Sequence, residues 1–180
     1  MSNFAAAVVR GSQGWTATEL DLAGVADVEE VADRLRDVDA DAELALLFVE
    51  SDDAYLVVLR LDEGEDLRVF GSDSTFAQES RLGALLLGEV ESSALEIDDV
   101  SVDTVGEVDS DAEVEPEEET PAAEPDVEPV GDADLLSDLG VPAHRLLELC
   151  AQEGMLPADV TSEVCQLIGC GDEVEELREG

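Results

Sequence analysis

The stretch from Leu44 to Ser74, LALLFVESDDAYLVVLRLDEGEDLRVFGSDS, constrains the fold more than any other part of this 180-residue chain. Leu44 to Val49 is apolar without a break, as a central strand is. Glu50-Ser51-Asp52-Asp53 reads as a polar turn, and Ala54 to Leu61 as a second strand with Tyr55, Val57, Leu59 and Leu61 on one face. Glu63-Gly64-Glu65-Asp66 then turns the chain into Leu67 to Phe70. Three consecutive antiparallel strands are expected.

The flanking segments extend this frame. Phe4 to Val9, the turn signal Gly11-Ser12-Gln13-Gly14 and Trp15 to Leu22 predict a hairpin. Asp27 followed by Glu30 is an acidic form of the capping box, and Val28, Val31, Ala32, Leu35 and Val38 recur at helical spacing. Ser72, Asp73 or Ser74 can cap a second helix from Thr75 to Leu87, with Phe76, Leu82, Leu85 and Leu86 as its apolar content. The order ββαβββα predicts an α+β domain over residues 1–100: a largely antiparallel five-stranded sheet with two helices on one face.

Periodicity then stops. Residues 113 to 132 read EVEPEEETPAAEPDVEPVGD, with nine carboxylates, four prolines and no positive charge. Prolines at 116, 121, 125 and 129 block a helix, and like charges extend the chain. Residues 101–131 are expected to form a disordered acidic linker.

A small helical domain is expected over 132–180. Asp132 can cap a short helix bearing Leu135, Leu136 and Leu139, with Gly140 at its end. Pro142 opens a helix with the stripe Ala143, Leu146, Leu147 and Cys150, closed by Gly154, and Pro157 opens another with Val160, Val164, Leu167 and Ile168, closed by Gly169. Asp172 to Glu179 is too charged for its periodicity to specify a helix. So small a core needs a partner face, and Leu146 and Leu147 are the residues expected to dock on one.

Charge and motif searches narrow the function. The net charge of −40 comes from 48 acids against 8 bases, all of them arginine, so direct nucleic-acid binding is excluded for want of a basic patch. The same charge also favours solubility. No apolar run approaches the roughly 20 residues of a membrane span. The start MSNFAAAVVRG lacks a basic region ahead of its apolar part, so a cytoplasmic location is expected.

His144 is the single histidine, and Cys150, Cys165 and Cys170 have neither the C-x2-C spacing of zinc sites nor an even count for disulfides. Reduced, buried thiols are expected, with no cofactor, no metal and no catalytic residue. The pattern fits neither a calcium loop nor a phosphate-binding glycine loop.

Four pieces together carry a family resemblance: FAAAVVRGSQGW, VADVEEVADRL, DDAYLVVLRLDEGEDLRVFGSD and PVGDADLLSDLGV. With them the chain resembles, over nearly its whole length, the tRNA adenosine deaminase-associated proteins of high-GC Gram-positive bacteria. The resemblance implies an association with a deaminase-like partner and brings no site residues with it. A zinc deaminase itself shows H-x-E and P-C-x-x-C, whereas His144 here is followed by Arg145 and Leu146. Two functions follow: a non-enzymatic accessory protein that binds or regulates the deaminase, or an acidic mimic that occupies a partner's basic RNA-binding surface.

Overall fold

A strand that is apolar on both faces must be covered on both, and the two covers come from opposite ends of the chain. We describe residues 3–51, 54–88, 129–152 and 154–180 of a computed structural model. The first half contributes β1 (Asn3–Gly11), β2 (Gly14–Glu19), α1 (Val28–Val38), β3 (Leu44–Ser51), β4 (Tyr55–Asp62), β5 (Asp66–Gly71), α2 (Thr75–Glu79) and α3 (residues 81–88). The second contributes β6 (Val130–Gly131), a 3-10 helix (Ala133–Leu139), α4 (Ala143–Ala151), α5 (Pro157–Ile168) and α6 (Gly171–Glu179). The six strands form one antiparallel sheet in the order β2-β1-β3-β4-β5-β6.

Local signals act where the sequence places them. The Asp27 carboxylate accepts from the Glu30 N–H at 2.9 Å, and the Glu30 carboxylate accepts from the Ala26 N–H at 3.1 Å, so the start of α1 is capped. The β4–β5 turn holds Glu63 at φ 50° and Gly64 at φ 75°, closed by the Glu65 N–H donating to the Asp62 carbonyl at 3.0 Å. Both central residues are left-handed, as a hairpin turn matched to strand twist requires. Arg36 on α1 donates through Nε to the Gly64 carbonyl at 2.5 Å and ties the helix to that turn.

Alternation along the strands sorts two cores. Ala45, Leu47 and Val49 of β3 and Val57, Leu59 and Leu61 of β4 face α1, α2 and α3, where they meet Val31, Leu35, Phe76 and Leu86. Leu44, Leu46 and Phe48 of β3, Leu56 and Val58 of β4 and Phe70 of β5 face the other way, onto Leu135, Leu136, Leu146, Leu149, Val160 and Val164. The molecule is therefore helix, sheet, helix in three layers. Helices were expected on one face only, yet the unbroken apolar run of β3 is buried at every position, which a one-sided arrangement does not allow.

Four further differences have local causes. A sixth strand exists because Val130 and Gly131 pair with Gly71 and Phe70 of β5. Gly131 has φ 89° and approaches so closely that a Cβ there would lie 2.1 Å from the Val69 carbonyl oxygen, a site only glycine can fill. The second helix, expected to run unbroken from Thr75 to Leu87, breaks at Ser80, whose φ −125° and ψ 136° are extended. This break folds α3 back on α2, where a Cβ at Gly83 would lie 2.0 Å from the Phe76 carbonyl oxygen. Asp132 does cap a helix, accepting from the Asp134 N–H, but of the tighter 3-10 type. Residues 171–179, too charged to read as an element, form α6 around buried Val174.

Of the segment expected as a linker, residues 101–128 lie outside the described residues. Residues 132–180 do not stand apart from the sheet: they make up its second cover.

Candidate partner-binding surface

Two arginines, Arg60 and Arg178, hydrogen-bond the C-terminal layer to the sheet, and Arg68 on β5 adds an exposed ion pair to Asp132 at 3.9 Å. Arg60 follows Leu56 and Val58 on the second face of β4 and is itself buried. Its guanidinium donates to Asp62 of the same strand at 2.9 Å, to the Asp138 carboxylate at the end of the 3-10 helix at 2.8 Å, and to the Leu135 carbonyl. These bonds raise the Arg60 pKa above its ordinary value and hold the Asp138 carboxyl below its own. Arg178 on α6 donates to the Glu50 carboxylate at the end of β3 and lies 5.0 Å from the Phe4 ring centroid, a cation–π distance. One arginine fastens the start of the layer and the other its end.

The sequence signal for both was a charge continuing an apolar face: Arg60 after Leu56 and Val58, Glu50 after Leu46 and Phe48. Their partners lie 78 and 128 residues away, so no spacing rule could have found them.

Leu146, expected to face a partner, is fully buried against the second face of the sheet. Leu147, one position on, is half-buried at the margin of the same cluster. The partner face that the helical stripe requires is supplied by Phe48, Val58 and their neighbours in this same chain.

The groups that could do chemistry are dispersed. His144 is exposed on the first turn of α4. Cys165 and Cys170 are fully buried, and Cys150 is half-buried. Burial pushes the Cys150 thiol up to about 11, and a hydrogen bond with Cys170, added to burial, pushes Cys165 up as well. Such thiols are protonated at neutral pH and are weak nucleophiles. Among the described residues no group of three or more His, Cys, Asp or Glu side chains is placed to hold a metal, and no helix is long and apolar enough to cross a membrane. Clefts of about 260, 470 and 500 Å³ open on the surface, and none of them is lined by His144 or a cysteine.

Charge and main chain remain as means of recognition. Six of the eight arginines, Arg34, Arg36, Arg60, Arg68, Arg145 and Arg178, have a carboxylate within 4.0 Å, so the basic charge is neutralised within the fold. The outer surface is left acidic. At one edge of the sheet, β2 pairs with β1 and, among the described residues, with no other strand.

A family model described as Rv3753c-like tRNA adenosine deaminase-associated protein matches residues 3–171, from the first residue of β1 to the first of α6. No curated protein matches. No solved structure matches either.

Proposed function

Because the chain belongs to the Rv3753c-like tRNA adenosine deaminase-associated family, we propose that it is a non-enzymatic accessory protein that binds the deaminase through its acidic surface. The observation that carries this reading is the charge distribution. A net −40 with most arginines already paired leaves carboxylates to face outward. An enzyme that acts on tRNA must carry positive charge where the phosphates lie, and opposite potentials steer association and set its register. The protonated thiols of Cys150 and Cys165 and the solitary histidine support a binding role over a catalytic one.

Calorimetry of the full chain with the tRNA adenosine deaminase of the same cells tests this directly. Binding is expected, and it should weaken as salt rises from low to physiological ionic strength, where attraction between exposed charges decays over about 8 Å. Absence of binding at low salt would remove the accessory role.

The same charge favours a second reading, occupation of the tRNA site itself by carboxylates in place of phosphates. Competition separates the two. A mimic is displaced by tRNA, whereas an accessory protein seated elsewhere binds the deaminase–tRNA complex as well as the free enzyme.

A further inference from the structure

Among the described residues, strand β2 is an open sheet edge of a kind that folded proteins ordinarily protect. Two hydrogen bonds set its orientation: the Leu20 N–H donates to the Ala5 carbonyl at 2.8 Å, and the Arg10 carbonyl accepts from Glu43, on the β3 side, at 3.1 Å. Antiparallel alternation then turns the main-chain groups of Gly14, Thr16 and Thr18 toward β1 and those of Trp15, Ala17 and Glu19 outward. Among the described residues the outward groups have no hydrogen-bond partner, and the strand holds neither proline nor lysine to discourage pairing. The opposite edge is protected. There β6 covers the end of β5, and the rest of β5 carries Asp66 and Arg68.

The surroundings of the edge select the occupant. Glu19 and Asp21 stand at its end beside a cleft of about 470 Å³. The helix α6, with Asp172, Glu175, Glu176 and Glu179 exposed, packs against the strand on the sheet's second face, where Val174 joins the cluster that Trp15 and Ala17 border. Two cations lie nearby: Arg10, over the Trp15 ring at 5.9 Å, and Arg34, which donates to the Asp21 carbonyl and, at 3.3 Å, to the Ala23 carbonyl and is itself paired with Glu30. A second copy would bring the same carboxylates against these.

The geometry points to an added strand: the β2 edge takes an extended segment of the deaminase carrying lysine or arginine, whose main chain bonds to Trp15, Ala17 and Glu19 and whose cations face Glu19 and Asp21. This rests on the accessory reading above and adds the surface by which the partner is held.

The test uses the full chain and the deaminase. On complex formation the amides of Trp15, Ala17 and Glu19 should become protected from hydrogen exchange, while Thr16 and Thr18 are protected already in the free chain. Ala17→Pro removes an outward N–H and no ladder bond, so it should weaken binding by about tenfold or more, and Ala17→Thr, which keeps the N–H, should bind as the wild type does. Binding of the wild type with those three amides still exchanging, or with full affinity in Ala17→Pro, overturns the edge while leaving the accessory role intact. No binding by the wild type at low salt removes the accessory role and this surface with it. Protection of the three amides in the chain alone, with a doubled mass in light scattering, would assign the edge to a second copy and overturn the proposal.

Discussion

At the scale of single residues, the stability of the second layer depends on where its charges are held. Arg60 is buried while its partner Asp138 is exposed, with 8% and 59% of the side-chain surfaces accessible, so removing Arg60 takes a donor from the Leu135 carbonyl but lets Asp138 return to water. Arg60→Ala should therefore cost about 2 kcal/mol in denaturant unfolding, less than a fully buried pair loses. The Asp138 carboxyl is held below its ordinary value of 3.8 by the Arg60 hydrogen bond. Its contribution is thus complete above that value and is lost as pH falls through the lowered folded pKa, not as pH rises. Asp138→Asn should lessen the fall in stability between neutral pH and pH 3, measured as the midpoint of urea unfolding. Glu63 gives a prediction of the opposite sign. It occupies φ 50°, a left-handed conformation that the short polar side chain of asparagine tolerates better than glutamate does, and Glu63→Asn should raise stability by about 0.5–1 kcal/mol.

Helices and strands were legible where one element carries its own signal, and not where a neighbour decides. Asp27, Gly140, Pro157 and Gly169 mark ends that the structure places at the same residues. The break at Ser80 was marked only by a serine able to cap α3, its carbonyl accepting from the Ala84 N–H, and the approach of α3 to the Phe76 carbonyl is one that only a glycine at 83 permits. Gly83→Ala should cost about 2 kcal/mol, since the clash is with backbone that cannot rotate away. Strand β6 was illegible because two residues have no period. The stripe Ala143, Leu146, Leu147 and Cys150 identified an amphipathic helix correctly but could not say what covers it. With Leu146 in the core, Leu146→Ala should cost about 2–5 kcal/mol in thermal or denaturant unfolding, and Leu147→Ala about 1 kcal/mol. The open edge of β2 was hidden for a related reason: a hairpin pattern does not reveal which of its strands is outermost, and that depends on α1 carrying the chain across to place β3 beside β1.

On the scale of the whole molecule, the run Leu44 to Val49 already required two covers, but the second is supplied from beyond residue 128. Residues 129–180 have apolar stripes on α4 and α5 with little to bury them against except the sheet, and the sheet without them would expose Leu46, Phe48, Val58 and Phe70 together. Each half therefore stabilises the other. A protease site placed between residues 89 and 128 turns this mutual burial into an association of two chains. Fully buried aliphatic side chains such as Leu135, Leu136, Leu146 and Val164 contribute about 1.5–3 kcal/mol each, against an association cost of about 4–15 kcal/mol, and the Arg60 and Arg178 contacts fix the register. The cut protein should elute as one species in gel filtration and melt in a single transition whose midpoint rises with concentration, which the uncut chain's does not. Residues 129–180 prepared alone should show no cooperative melt. Fragments that separate on elution and melt independently would mean that the layers fold apart and that the sheet's second face tolerates water, contrary to the burial of every residue in β3.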